Sequence, residues 1–211
     1  MTPTKGVLQT MANRIICVGR QCGSGGRDIA QQAARRLGIS VYGRELVQLA
    51  CDYGALETGR MARGDERLPN PYLFTSVYDG NENVPWGKPA SEVLFVLQAH
   101  EIKRLAREKE CVFVGRCADF LLRRSNVRLL RVFVSAPLEQ RIDRVAAREG
   151  ISPGKARALI AKTDKQRSRY YEHYTRHVWG APENYDLMLD TGVISLADAV
   201  EEVCARFAAL P

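Results

Sequence analysis

The sequence predicts an α/β fold: a three-layer sandwich in which helices flank a five-stranded, mainly parallel sheet. Three observations lead to this prediction. Short apolar segments alternate with longer segments of helical periodicity along the 211 residues. Several short segments are continuously apolar, as strands covered on both faces of a parallel sheet are. A glycine-rich loop joins the first such segment to the first helical one, an arrangement typical of ligand-binding turns in α/β proteins.

The first half of the chain contains the strand, loop and helix on which the functional interpretation depends. Ile15 to Val18 form an apolar, β-branched run that is long enough for one buried strand. Residues 28–37 carry apolar side chains four apart and are predicted to form a helix. A short strand is predicted within 38–42 and a helix over 43–53. Residues 54–89 are rich in glycine, proline and asparagine, and a turn-rich segment of this length predicts a lid or a disordered region.

The second half continues the alternation of helices and strands. Residues 91–107 have a broad apolar stripe and are predicted to be helical. Further strands are predicted at 111–114, 129–135 and 185–190, and further helices at 118–124, at 138–149, from 153 to about 175, and at 196–210. Ligands of parallel sheets bind beyond the carboxyl ends of the strands. We therefore expect the loops after Val18, Val114 and Ser135 to face one crevice.

The loop after the first strand is a candidate phosphate site. It holds four glycines within eight residues, namely Gly19, Gly23, Gly25 and Gly26. Glycine permits the backbone angles that turn successive N–H groups inward, and a helix N-terminus adds partial positive charge. We predict that a phosphate chain binds there. The alternative is a glycine-rich turn without a ligand.

This loop departs from the usual phosphate-binding pattern G-x-x-x-x-G-K-[ST]. When the second glycine of the pattern is aligned on Gly25, Arg20 stands at the first glycine. Gly26 then replaces the lysine, and Arg27 replaces the Ser/Thr that holds magnesium. The backbone cradle is retained, but the two side chains that contact metal and phosphate are not. Arg20 and Arg27 can supply positive charge instead, because guanidinium pairs bidentately with phosphate oxygens.

Composition limits the classes of partner. The chain is 45% hydrophobic and 26% charged, which is ordinary for a globular protein. Its net charge of +7 favours anionic partners. We expect no membrane partner and a cytoplasmic location, because there is no long apolar run and no signal-peptide core. The six cysteines form no C-x-x-C pair, which favours reduced thiols over a zinc site. Residues 1–11 are expected to be disordered.

The order of these motifs resembles the cytidylate kinase-like branch of the P-loop nucleoside monophosphate kinases. The resemblance extends over nearly the whole chain and is carried by residues 19–27, by Val114, Gly115 and Arg116, by the helix with Arg141, Arg144 and Arg148, and by residues 164–167 before Tyr170 and Tyr171. It implies one P-loop kinase-like domain over residues 12–211. Residues 54–89 would be an irregular insertion or acceptor-side lid, and 137–176 a helical lid region.

The resemblance also implies roles for individual residues. Arg116 would bind the phosphate of the acceptor, Asp164 would contact the acceptor, and Arg167 would neutralise the transferring phosphoryl group. We expect Arg27 to act with these three as a catalytic residue. Where that family often has aspartate after the arginine, this chain has Cys117, with Asp119 close by. The donor nucleotide would be bound by the loop and by the arginines of the lid: Arg20, Gly23, Ser24, Gly25, Gly26, Arg27, Arg141, Arg144 and Arg148.

Each of these assignments has a structural alternative. Arg116 could form an ion pair inside the protein. The three arginines of the helix at 138–149 lie three and four apart and could form a solvated basic face. Asp164 and Arg167 are one helical turn apart and could pair with each other.

Four functions follow from the sequence, in decreasing order of support. The first is a kinase that uses ATP and Mg²⁺ to phosphorylate a small phosphorylated acceptor, with CMP or dCMP as the default. The second is a kinase for a different small metabolite. The third is a catalytically weak nucleotide- or phosphate-binding protein, which the missing lysine and Ser/Thr support. Nucleic-acid binding ranks lowest, because the arginines are spread over several elements and no binding module is present. The sequence does not indicate an oligomeric state.

Overall fold

The computed structural model describes residues 12–56, 58–61, 65–66, 77–78 and 88–211. Its elements in chain order are β1 (Arg14–Arg20), α1 (Gly26–Leu37), β2 (Ser40–Tyr42), α2 (Glu45–Gly54), α3 (Thr58–Met61), β3 (Val77–Tyr78), β4 (Lys88–Pro89), α4 (Ala90–Glu108), β5 (Cys111–Val114), α5 (Ala118–Leu121), β6 (Arg128–Ser135), α6 (Leu138–Glu149), α7 (Pro153–Thr175), a 3₁₀ turn (Pro182–Asn184), β7 (Leu187–Asp190) and α8 (Leu196–Ala208). None of the helices within these ranges is both long and apolar enough to cross a membrane.

The main sheet has five strands, all parallel, in the order β2-β5-β1-β6-β7. Val18 of the central strand β1 is in register with Val114 of β5 and with Val132 of β6. The carboxyl ends of β1 and β5 therefore reach the same edge of the sheet, where the glycine loop and Gly115 follow. The predicted fold class is confirmed.

Helices cover both faces of this sheet. Side chains alternate along a strand, so Ile16 and Val18 of β1 point to one face and Ile15 and Cys17 to the other. The first face packs against α1 and α8, and the second against α2, α4 and α5. The continuously apolar strands that the sequence shows are thus explained by burial on both sides.

Several predicted boundaries differ from the structure by a few residues. Helix α1 begins at Gly26 rather than residue 28, because Gly25, with φ of +80°, caps it two residues earlier. Helix α5 ends at Leu121 rather than residue 124, because tighter turns follow, in which the N–H of Arg123 donates to the carbonyl oxygen of Phe120. Strand β7 begins at Leu187 rather than residue 185.

Helices α6 and α7 form a hairpin that packs against the glycine loop. Ile142 and Val145 of α6 and Ile160 of α7 are buried in one apolar cluster with Cys22 of the loop. This contact joins the predicted lid region directly to the loop.

The predicted disorder of residues 1–11 lies outside the described residues, as does most of the segment 54–89. Within that segment the structure describes α3, the antiparallel pair of β3 and β4, and a turn at Asp65 and Glu66.

Candidate functional site

A cleft lies beyond the carboxyl ends of β1 and β5. It is bounded by the glycine loop, the start of α1, the connection from β2 to α2, and the middle of α7. Several predicted site residues contribute to its lining, namely Arg20, Gly23, Gly25, Arg27, Arg116, Arg148 and Arg167. The structure therefore brings the loop and arginines from three later elements to one place.

The loop between β1 and α1 presents unpaired backbone donors. Gly23 and Gly25 both have φ of +80°, and no side chain caps α1. Within the described ranges, no acceptor is hydrogen-bonded to the N–H groups of Gly25, Gly26 and Arg27. Three successive free donors at a helix N-terminus attract negative charge. The loop is thus equipped to bind a phosphate group.

Close packing explains why Gly26 stands where the usual pattern has lysine. A Cβ atom on Gly26 would lie 2.6 Å from the Cβ of Arg20 and 3.1 Å from that of Val134. No side chain fits there unless the backbone shifts. Positive charge for a phosphate must therefore come from other positions.

Three arginines of the same cleft surround two carboxylates. Arg20 Nη1 lies 3.1 Å from Glu66 Oε1, and Arg167 Nε lies 3.6 Å from Glu66 Oε2. Arg116 forms an ion pair with Asp65, in which its Nε is 3.2 Å from Oδ1. The three arginine side chains are 12%, 18% and 3% exposed, respectively. We call Arg20, Arg116 and Arg167 the arginine cluster.

Burial and the attraction between opposite charges shift the pKa values of Glu66, Arg20 and Arg116. Burial alone would raise the pKa of Glu66, but Arg20, Arg116 and Arg167 outweigh it and hold that pKa well below its usual range. Burial lowers the pKa of Arg20 to about 10, although Glu66 opposes the shift. Burial also disfavours the charge on Arg116, but Glu66 and Asp65 outweigh it and raise the pKa. These groups therefore carry full charge at neutral pH.

Asp164 and two arginines of α6, Arg141 and Arg144, support the glycine loop on the side that does not line the cleft. Asp164 accepts a hydrogen bond from the N–H of Cys22 at 2.7 Å and one from Arg141 Nη1 at 2.6 Å. Arg144 donates to Thr191 Oγ1 at 2.8 Å.

These contacts correct three interpretations made from the sequence. Asp164 contacts the loop and Arg141 rather than the open cleft, and it does not pair with Arg167. Arg141 and Arg144 contact protein groups rather than the cleft, because the apolar packing of Cys22 against α6 places both side chains behind the loop. All three residues thus contact the loop or its neighbours.

The remaining predicted residues differ in their exposure. Ser24 is fully buried and donates its hydroxyl to the carbonyl oxygen of Gln21 at 2.9 Å, so its side chain does not face the cleft. Arg27 and Arg148 are exposed at the cleft, and Arg148 pairs with the adjacent Glu149. Arg20, predicted on the donor side, directs its guanidinium to Glu66 instead.

No sequence pattern indicates a role for Asp65 and Glu66. They lie in the turn-rich segment, where no periodicity indicates which side chains face the protein. Asp119, which lies close to Cys117 in the sequence, accepts a hydrogen bond from Tyr171 at 2.7 Å, and burial raises its pKa. It is thus satisfied inside the protein.

Replacing Asp164 with asparagine should loosen the glycine loop. The variant leaves the largely buried Arg141 without its carboxylate, so we expect the free energy of unfolding to fall by about 3 kcal/mol. Urea denaturation measures this loss, and titration calorimetry should show weaker binding of ATP. Asp143→Asn, at an exposed position of α6, is the matched control and should change neither quantity. Wild-type stability in Asp164→Asn would contradict the positioning role.

Comparison with known proteins extends these observations. The model of the cytidylate kinase-like family matches residues 15–193. The cytidylate kinase of Methanopyrus kandleri is 31% identical over 100 residues, which cover 42% of this chain and 50% of that protein. The chain thus spans about half the length of the curated relatives it matches.

Solved structures share the fold. An uncharacterized protein from Eubacterium ventriosum is 23% identical with a TM-score of 0.70, over 93% of this chain and 99% of that one. A shikimate kinase from Bacteroides thetaiotaomicron is 11% identical with a TM-score of 0.52, over 92% and 98%. At these identities the likeness concerns the fold alone. Since the family model covers the glycine loop, the arginine cluster and helices α6 and α7, this chain belongs to the cytidylate kinase-like family.

Proposed function

We propose that this protein is an ATP-dependent phosphotransferase that acts on a small phosphorylated acceptor, most simply CMP or dCMP. One observation carries the proposal: free amides of the glycine loop and the arginine cluster line the same cleft. Phosphoryl transfer needs positioning and positive charge around the transferred group, and little covalent chemistry. Membership of the cytidylate kinase-like family supports the same reaction class.

The donor phosphates would bind to the glycine loop. The N–H groups of Gly25, Gly26 and Arg27 would donate to phosphate oxygens, and the exposed side chains of Arg27 and Arg148 would add positive charge. Bound ATP would supply the phosphoryl group and the leaving group. Arg141, Arg144 and Asp164 would keep the loop in place.

Magnesium would accompany the phosphates of ATP. Among the residues that the structure describes, no three His, Cys, Asp or Glu side chains are grouped so as to hold a metal ion. Mg²⁺ would therefore bind chiefly through the phosphates of ATP.

The phosphate of the acceptor would bind to the arginine cluster. Arg167 also donates to the carbonyl oxygen of Arg20 at 3.2 Å, which connects α7 to the start of the glycine loop. Its guanidinium would thus lie between donor and acceptor, where negative charge accumulates during transfer. A phosphate acceptor is already ionised at neutral pH, so the reaction needs no general base.

Two observations favour functions other than the phosphorylation of CMP or dCMP. The matched part of the curated cytidylate kinases covers only 42% of this chain, which leaves room for a different phosphorylated metabolite as acceptor. Gly26 leaves the loop without a lysine, which favours a protein that binds nucleotide but turns over slowly.

A coupled assay of ADP release separates these functions. The purified protein is given ATP, magnesium and, in turn, each of a panel of nucleoside monophosphates and other phosphorylated metabolites. We expect release that depends on CMP or dCMP. ADP release with another acceptor would show that this acceptor, and not CMP or dCMP, is the substrate. Thermal stabilisation by ATP without turnover would support the protein that binds nucleotide but turns over slowly. Absence of both ATP binding and turnover would overturn the proposal.

A further inference from the structure

We infer that Glu66 determines which acceptors can bind, because its carboxylate occupies the phosphate site of the arginine cluster. A ligand must displace this carboxylate, and the group suited to do so is a phosphate monoester dianion. The inference rests on the proposed acceptor side of the cleft, but it does not depend on phosphoryl transfer.

The contacts of Glu66 are those expected of a bound oxyanion. One oxygen faces Arg20 and the other faces Arg167, as two oxygens of a phosphate would. Gly115 leaves space for the side chains of Arg20 and Glu66, since a Cβ atom there would overlap both Arg20 Nη1 and Glu66 Oε1. Gly115 also has φ of +82°, a conformation that glycine adopts without strain. The backbone at Gly115 therefore leaves space for the carboxylate and for the guanidinium of Arg20.

With the carboxylate of Glu66 in the site, two hydrogen-bond donors of the site have no acceptor. Among the described residues, Tyr170 Oη and Arg167 Nε are buried and have no hydrogen-bond partner. Tyr170, which is 3% exposed, lines the same cavity as Arg116, Arg167 and Glu66. A buried donor without an acceptor is costly, and a phosphate carries more acceptor oxygens than a carboxylate. A phosphate can therefore satisfy this site more fully than Glu66 does.

The side chain of Glu66 can leave while its backbone stays in place. Its carbonyl oxygen accepts a hydrogen bond from Gln166 Nε2 of α7 at 3.0 Å, which holds the turn against the cleft. Glu66 itself has φ of +52°, an unusual value for a residue with a side chain. Displacement of the carboxylate would then proceed by rotation about the side-chain bonds, with the turn held in place.

Charge explains the selectivity. The three arginines exceed the carboxylates of Asp65 and Glu66 by one positive charge. A monoanion that displaces Glu66 only replaces one negative charge with another. A dianion neutralises the remaining positive charge, and at short range in a partly buried site this difference is large. Weakly bound monoanions are thereby kept out of the acceptor site.

Calorimetric titration with methyl phosphate, a dianion at pH 7.5, and with dimethyl phosphate, a monoanion, tests the inference without ATP. Wild-type protein should bind methyl phosphate at least about tenfold more tightly than dimethyl phosphate. Glu66→Gln should bind both esters about tenfold more tightly than wild type does, because the internal competitor is gone. Glu45→Gln removes a cleft carboxylate that accepts a hydrogen bond from the N–H of Gly43 and interacts with Arg116 only through space, so it should have a much smaller effect.

Three results would overturn the inference: equal affinity of wild type for the two esters, no gain in Glu66→Gln, or an equal gain in Glu45→Gln. If Glu66→Gln is unstable, the comparison of the two esters on wild-type protein remains decisive. The ADP-release assay on the same proteins separates the two proposals. Turnover without an affinity gain in Glu66→Gln refutes only the role of Glu66, and the gain without turnover refutes only the kinase assignment.

Discussion

Replacing Gly25 with valine is expected to weaken ATP binding at least about a hundredfold, since each hydrogen bond to a charged group contributes about 1.5–3 kcal/mol. Gly25 has φ of +80°, a conformation that a β-branched residue resists. A Cβ atom there would lie 2.6 Å from Cδ2 of Leu196. The branched side chain would also stand where a phosphate must approach the N–H groups of Gly26 and Arg27. Titration calorimetry with ATP measures the loss.

Gly38→Val is the matched control for this variant. Gly38 also has positive φ, +69°, and it ends α1, but no atom lies within 4 Å of a Cβ placed there. Both variants should lose about 1–2 kcal/mol of stability from the left-handed conformation. Only Gly25→Val should lose ATP affinity. ATP binding that survives in Gly25→Val would refute the amide cradle.

The fold and the loop could be predicted from the sequence because their signals are local. The apolar run from Ile15 to Val18 predicts a buried strand, and the glycines after it predict a turn with positive φ. Both features are present in β1 and at Gly23 and Gly25. The rule that ligands bind beyond the carboxyl ends of parallel strands then predicts where the cleft lies.

The partners of Asp164 could not be predicted in the same way. Spacing along α7 shows that Asp164 and Arg167 are one turn apart, but not which neighbouring element each one meets. In the structure Asp164 meets the glycine loop and α6, whereas Arg167 meets Glu66 and Arg20. These choices depend on how the hairpin of α6 and α7 packs around Cys22, which is a tertiary contact.

The arginines of α6 show that periodicity also does not predict which residues of one helix face reach a site. Arg141 and Arg148 share a face, yet seven residues correspond to about 10 Å along a helix axis. Arg141 is therefore buried behind the loop, while Arg148 reaches the mouth of the cleft. Asp65 and Glu66 gave no periodic signal at all, since they lie in a turn whose position is set by the arginines it meets.

Arg116→Ala should reduce kcat/KM for the acceptor about a hundredfold or more, mainly through a higher KM for the acceptor, while KM for ATP changes little. Arg116 is 3% exposed, pairs with Asp65, and donates to the carbonyl oxygen of Val114 at 2.9 Å. Its guanidinium is thus fixed in the arginine cluster, which lines the same cleft as the glycine loop. Without it, the phosphate of the acceptor loses its most buried cation, whereas the amides that bind ATP are unchanged.

Two further variants separate binding from stability. Arg116→Lys keeps the charge but not the planar fork, so we expect an intermediate KM for the acceptor. Arg104→Ala removes an arginine of α4 that pairs only with Glu101 and Glu108 among the described residues, and it should leave both KM values unchanged. Urea denaturation shows how much of each effect is lost stability. Equal increases in the KM values for acceptor and ATP would remove Arg116 from the acceptor site, because a residue that binds only the acceptor cannot weaken both substrates alike.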